Sequence, residues 1–323
     1  MQKKYRIAIL GMGGVGGFLG GKLAAAYSAS ADKEIIFIAR GSNAQAIKEN
    51  GLKLITPAEE ITARPDVIAA ATDDIGSIDL LICCTKTYDL EDSIKALAPS
   101  VTADTIVLPI LNGVDSTEKV LSLLPGAKVL QGCIYLVSKL IAPGVVQQRG
   151  EFYSLHFGGD ERVQAEMPGL LHLFTQANIN AIAEEHISAK VWSKFSFISP
   201  IATYTSAHNI SIGKILESDE HKASLKNLMT ELVTLATSLS IALPADAVEK
   251  NFATMAKLPY ETTSSMQADF AAKKSTELET LTGSVVRKAA AQGIKLDAYA
   301  GMYEVLKGEM PNPSLRESFG GQA

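Results

Sequence analysis

The chain opens on a short apolar run, Tyr5–Leu10, and then alternates such runs with stretches of helical spacing. Apolar runs recur at Glu34–Ala39, Asp79–Cys84 and Thr105–Ile110, with helical patterns over Gly14–Ser28, Asn43–Asn50 and Leu90–Leu97. Short apolar runs bounded by turn formers predict strands. Strands alternating with helices predict parallel βαβ units, and right-handed crossovers wind these into a doubly wound sheet. Residues 127–160 read differently: Val129–Val137 and Gly144–Phe157 are strand-like with a Pro143-Gly144 turn between them, which predicts a strand or hairpin extension closing the first domain. A helix over 163–177 and a short strand at Asn180–Ala183 finish it.

From about residue 187 helical spacing takes over, in segments 187–207, 221–240, 245–256, 266–291 and 297–307, with Gly293 placed as a C-cap. The pattern predicts a Rossmann-type α/β domain over 1–186, an all-helical domain over 187–308 and a disordered tail over 309–323, where Pro, Ser and Gly collect.

Composition narrows the classes of function. Hydrophobic residues make up 47% of the chain and the net charge is −5, so a packed core is expected and nucleic acid is not an expected partner. The first apolar run is too short for a signal peptide and no stretch suits a bilayer, so the expectation is a cytoplasmic protein with no membrane partner. The three cysteines, Cys83, Cys84 and Cys133, show no metal-binding spacing, and the first two sit in an apolar run that reads as a buried strand. The five histidines show no ligand spacing either, so no metal is expected.

The first chemical signal is Gly11-Met12-Gly13-Gly14-Val15-Gly16, which follows a strand and opens a helix. Gly11 permits the tight turn, Gly13 lets the backbone approach a pyrophosphate, and Gly16 lets helix and strand pack closely. The helix N-terminus then offers unpaired N–H groups to phosphate. Where a site for NAD places an acid after the second strand, this chain has Arg40, suited to a 2′-phosphate. NADPH is therefore the expected cofactor; the bland alternative for Arg40 is a solvated surface arginine.

Reducing a ketone by hydride also needs a proton donor. Lys194 is a lone cation in the apolar stretch Val191–Ile198, placed either to snorkel or to face a ligand. Lys86 and Asn112-Gly113 follow predicted strands, at the sheet edge where ligands bind, though a loop lysine and a plain turn would look the same. Ser265, Thr276 with Glu279, and Glu277 all suit helix capping or dipole roles.

As an ordered set these motifs resemble the ketopantoate reductase family, over nearly the whole chain to about Gly308. The set comprises the glycine loop, Ala39-Arg40-Gly41, Thr85-Lys86-Thr87-Tyr88-Asp89, Leu111-Asn112-Gly113, Trp192-Ser193-Lys194, Ser264–Asp269 and Thr276-Glu277. The resemblance implies a C-terminal domain like that of 6-phosphogluconate dehydrogenase. It also implies NADPH-dependent reduction of 2-dehydropantoate to pantoate, on the route to pantothenate and coenzyme A. It gives Lys194 the role of general acid and Glu277 that of a supporting acid that holds the substrate hydroxyl. Ser265 would contact the substrate carboxylate, and Lys86 and Asn112 would line the nicotinamide and substrate. Paired helical domains of this kind suggest a homodimer.

The chain departs from the family where better-known members carry asparagines against the substrate's terminal hydroxyl: it has Ile198, Ala202 and Ile212. An Asn-Gly after the acid is replaced by Thr282-Gly283. Such changes keep two other readings open, a reductase of a more apolar 2-oxo acid and a non-catalytic NADPH-binding protein.

Overall fold

The computed structural model describes residues Lys3 to Glu309. They form two compact units that part between Val191 and Trp192. The tail expected to be disordered lies, from residue 310 on, outside the described residues.

In chain order the first unit contains β1 (Tyr5–Leu10), α1 (Gly14–Tyr27), β2 (Lys33–Ile38), α2 (Gly41–Asn50), β3 (Leu52–Ile55), β4 (Glu60–Ala63), β5 (Val67–Ala69), β6 (Leu80–Cys83), α3 (Leu90–Leu97), β7 (Ile106–Pro109), α4 (Ser116–Leu123), β8 (Lys128–Val129), β9 (Gln131–Tyr135), β10 (Ser138–Ala142), β11 (Val145–Gln148), β12 (Ser154–Gly158), α5 (Met167–Gln176) and β13 (Ala181–Ala183). Six strands form one sheet in the order β5-β2-β1-β6-β7-β8, every neighbouring pair parallel. The chain starts in the middle and winds outward to both sides, the doubly wound arrangement its pattern predicts. Successive side chains on a strand face opposite ways. Ile7 and Ile9 join one buried cluster with residues of α1, while Ala8 and Leu10 join another with residues of α3 and α4. A strand covered on both faces has no polar side, which is why Ile7–Leu10 of β1, together with β6 and β7, read as unbroken apolar runs.

Two further sheets were not legible. β10-β11-β3-β4 form a mixed four-stranded sheet, and β13-β12-β9 a three-stranded one. The single strand expected over Val129–Val137 is divided at Leu130 into β8 and β9, which belong to different sheets; Gly144–Phe157 is likewise divided into β11 and β12. The Pro143-Gly144 turn does join two strands, β10 and β11, with Gly144 at φ +74°.

The four-stranded sheet explains an oddity of α1, a helix with five glycines. Each glycine in a helix interior costs about 1 kcal/mol relative to alanine. Here the helix lies between two sheets. A Cβ on Gly17 would come 2.4 Å from Val146, and one on Gly21 3.2 Å from Leu54, both in the smaller sheet. On the other side a Cβ on Gly20 would come 3.0 Å from Phe37 of the main sheet. Close approach on both sides leaves no room for side chains, and the burial of the flanking core offsets the propensity cost.

Behind β12 runs a buried polar relay. The His156 ring sits 2.6 Å from Glu184 Oε1 through Nδ1 and 2.9 Å from Ser154 Oγ through Nε2. A carboxylate only accepts, so Nδ1 carries the proton and Nε2 accepts from the Ser154 hydroxyl. Burial lowers the His156 pKa below its usual range, against the opposing pull of Glu184. The sign follows: the folded pKa lies below the unfolded value of about 6.5, so this stabilisation is whole above that value and is lost as the pH falls through it toward the folded pKa. We expect the thermal midpoint to fall between about pH 7.5 and pH 5.5, less steeply in His156→Gln, which cannot titrate there. Equal slopes in the two proteins would remove His156 as the source.

Among its described residues the second unit contains helices and loops but no strand. α6 (Ile187–His208) crosses the division and is followed by α7 (Ile212–Glu217), α8 (Asp219–Ser238), α9 (Ala247–Met255), α10 (Ser265–Ala271), α11 (Ser284–Ala291) and α12 (Asp297–Glu309). On α8, Leu225, Leu228, Leu232 and Leu235 form the buried stripe that helical spacing demands. Glu231 on the same helix accepts from the backbone N–H groups of Ala298 and Tyr299, both at 2.9 Å, capping α12 with a carboxylate. The single helix expected over 266–291 is instead broken: α10 stops at Ala271, Lys273 takes φ +51°, and a π-helical turn, Glu279–Gly283, precedes α11. Gly293 does close α11, at φ +67°, with the Ile294 N–H reaching back to Ala289 O at 2.9 Å.

Candidate active site

Strand order gathers the predicted residues of the first unit. β2, β1, β6 and β7 are neighbours, so the segments after their carboxyl ends lie side by side: Arg40, the glycine loop, Lys86 and Asn112. Three strand spacings span about 14 Å. This edge, where the winding reverses at β1, is the usual ligand edge of a doubly wound sheet.

Each glycine of the loop has its own physical reason. Gly11 stands at φ +91°, and a Cβ there would lie 2.9 Å from Thr85 N on the neighbouring loop. Gly16 faces Gly11, and a Cβ would fall 1.9 Å from the Gly11 carbonyl oxygen. A Cβ on Gly14 would lie 2.5 Å from Ser138 O. Gly13, the residue before α1, is different: a Cβ there would meet nothing within 4 Å. That open cradle lies at a helix start with no acidic residue in its first turn. The unpaired N–H groups of that turn suit a phosphate, so the residues present fit a dinucleotide. Met12 is 3% exposed and packs in the core, leaving only its backbone for a ligand, and Val15 is partly buried against the same core.

Asn43, in the first turn of α2, holds this loop in place and escaped the sequence reading. Its Nδ2 donates to Met12 O at 2.9 Å, and its Oδ1 accepts from Gly144 N at 2.8 Å. At about 1 kcal/mol for each bond, one side chain ties the glycine loop to the β10–β11 turn. No spacing in the sequence signals a contact spanning 101 residues.

Arg40 is exposed, and its Nη2 donates to Asp89 Oδ2 at 2.7 Å. Lys86 is half-buried and precedes the 3-10 turn Thr87–Asp89 that presents Asp89. Asn112 is half-buried, followed by Gly113 at φ +103°. Cys83 is fully buried, and burial pushes its thiol up to about 12, in line with a packed strand residue rather than a reactive thiol.

The second unit carries the other half of the predicted residues. Lys194 is half-buried on α6, one turn before Ile198, with the buried Ala202 a turn further on. Glu277 is 4% exposed and lies just before the π-helical turn Glu279–Gly283, where its carbonyl accepts from the N–H groups of both Thr280 and Leu281. Such turns are rare and often mark functional sites. The turn is keyed to α6 by hydroxyls. Ser199 Oγ donates to Leu281 O at 2.6 Å. Its single proton is thereby used, so Tyr299 Oη, 2.8 Å away, must donate to it. Thr282 has its hydroxyl 2.7 Å from that of Thr203 and is fully buried. Its role is packing of the turn onto α6. Ile212 is buried at the start of α7.

The capping expectations need correction. Ser264, not Ser265, caps α10, accepting from Gln267 N at 3.1 Å. Ser265 is exposed as the first residue of that helix. Glu279, expected to form a capping box with Thr276, places its carboxylate on Arg287 and Tyr303. Among the described residues no cluster of three or more His, Cys, Asp or Glu side chains could hold a metal, and no helix is long and apolar enough to cross a membrane.

The family model for ketopantoate reductase PanE/ApbA matches residues 7–161, and the model for its C-terminal region matches 186–309. The chain belongs to the ketopantoate reductase family. Membership makes it an oxidoreductase with the Rossmann-like and helical parts described above. An uncharacterised oxidoreductase of Bacillus subtilis strain 168, YkpB, is 26% identical over 286 residues, covering 88% of this chain and 92% of that protein. The crystal structure of 2-dehydropantoate 2-reductase from Porphyromonas gingivalis W83 is 32% identical, covers 95% of this chain and all of its own, and superposes with a TM-score of 0.81. A ternary structure of D-mandelate dehydrogenase with NADH and anilino(oxo)acetate shares the fold at a TM-score of 0.83 and 20% identity, over 94% of this chain and 98% of its own.

Proposed function

We propose that this protein reduces a small 2-oxo acid with NADPH, and that 2-dehydropantoate, giving pantoate, is the substrate. The observation that carries the reading is the family match across both units together with an open glycine cradle at the carboxyl edge of the sheet. The glycine loop and the start of α1 would hold the pyrophosphate, Arg40 the 2′-phosphate, and Lys86 and Asn112 the nicotinamide end. The chemistry supplied by bound NADPH is a hydride to the ketone carbon. Lys194 gives the proton to the oxygen as charge develops there, Glu277 holds the substrate hydroxyl, and Ser265 contacts the carboxylate.

A second substrate is favoured by one observation: Ile198, Ala202 and Ile212 present apolar side chains where the family's asparagines meet a hydroxyl. A hydroxyl facing such residues loses its partners, a loss worth about 10⁴-fold in a site built to bind it. Following NADPH oxidation with 2-dehydropantoate and with 3,3-dimethyl-2-oxobutanoate, its analogue without the terminal hydroxyl, separates the two. A higher kcat/KM on 2-dehydropantoate supports the first reading, and a higher one on the analogue the second. Tight NADPH binding without turnover of either, or of a wider panel of 2-oxo acids, would overturn both and leave a non-catalytic binding protein.

A further inference from the structure

Arg40 follows β2 and Asp89 lies in the turn after β6, with β1 between those two strands. Their ion pair, Nη2 to Oδ2 at 2.7 Å, therefore bridges the carboxyl end of β1, where the glycine loop begins. The arginine side chain is 82% exposed and the aspartate 30%. A pair this exposed contributes little to stability, which leaves its position at the cofactor edge as the feature to explain.

We propose that Asp89 is a second determinant of cofactor choice, acting with Arg40 to let one site take the nicotinamide dinucleotide with or without its 2′-phosphate. This rests on the reading that the sheet edge binds such a dinucleotide. A guanidinium has five donors and no acceptor, so Arg40 alone suits a phosphate and offers no acceptor for the proton of a 2′-hydroxyl. Sites for NAD supply a carboxylate at the end of the second strand to accept from that hydroxyl. Here the carboxylate is absent from that strand end and arrives from the next loop as Asp89. In the other direction, a 2′-phosphate can use the Arg40 nitrogens that Asp89 does not engage, but it carries between one and two negative charges and must sit beside a carboxylate. The pair thus weakens the preference for the phosphorylated cofactor and strengthens binding of the other.

The test uses the full-length protein and the Asp89→Asn variant, titrated with NADPH and with NADH by the fluorescence of the reduced nicotinamide. The expected result is a rise of about fivefold in the ratio of NADPH to NADH affinity, the size of one partly exposed charge pair. NADPH should bind more tightly and NADH more weakly, and the rise should shrink as salt screens it. Arg40→Ala should move the ratio the other way. A purely structural role for Asp89 would change both affinities alike. If the wild type binds and the ratio in Asp89→Asn is unchanged or lower, the inference fails while the cofactor reading stands. If the wild type binds neither cofactor, the reading fails and the inference with it.

Discussion

Replacing Lys194 with alanine is expected to lower turnover of the accepted 2-oxo acid by about 10²–10⁴-fold, the usual share of a positioned general acid. NADPH affinity should stay within about twofold, because the residues that fit the cofactor belong to the first unit. Lys194 is the one cation between Val191 and Ile198, and it is half-buried on α6 beside Trp192 and Phe195, themselves buried. Lys194→Arg separates two roles. Arginine keeps the positive charge but does not release a proton in the physiological range. If proton donation is what matters, the arginine variant stays as slow as the alanine variant. Recovery of most of the rate by arginine would reduce Lys194 to a charge that stabilises the oxygen, and an equal loss of turnover and NADPH binding would remove its chemical role altogether.

The second large effect is a contrast within the glycine loop. Gly13→Ala should fold normally, since the added methyl meets no atom within 4 Å and the residue stands at φ −80°, which alanine adopts without strain. It should nevertheless weaken NADPH binding by at least about tenfold, because the methyl fills the space through which a pyrophosphate approaches the backbone. Gly16→Ala should fail in the opposite way. Its methyl would lie 1.9 Å from the Gly11 carbonyl oxygen and 3.0 Å from Cys84 Cβ, so α1 must move off the sheet. Overpacking of a core costs about 1–3 kcal/mol, and a clash against backbone belongs at or above the upper end. Denaturant unfolding with cofactor titration reads both variants. A destabilised Gly13→Ala, or a Gly16→Ala as stable as the wild type, would show that the loop is not built as described.

Much of the framework was legible from the chain alone. β1 and α3 coincide with the runs that predict them, and β2, β6, β7 and α1 differ by a residue or two at the ends. β6 and β7 are fully buried strands, β1 and β2 are buried over their last four residues, and α3 is strongly amphipathic, so local pattern and tertiary environment agree. β3, β4 and β5 were missed for the opposite reason. They are only three or four residues long, and β4 reads Glu-Ile-Thr-Ala with just Ala63 buried, so its apolar signal is weak. The capping errors have a simpler origin. Ser264 and Ser265 are adjacent and chemically identical, and which one caps depends on where the backbone turns into the helix.

The sequence by itself determined the glycine-rich turn before α1, because a strand, that turn and a helix are contiguous and each step is governed by local sterics. It also determined the helical character of the second half and the family. Tertiary structure alone decided what covers α1, that Asn43 ties the glycine loop to a turn 101 residues away, and that Asp89 meets Arg40 across β1. It likewise decided that Thr282 turns its hydroxyl to Thr203. The physical reason is common to all of these. A short polar side chain can satisfy its hydrogen bonds with many partners, and which one it meets depends on strand order and helix packing between distant parts of the chain, which no local period encodes.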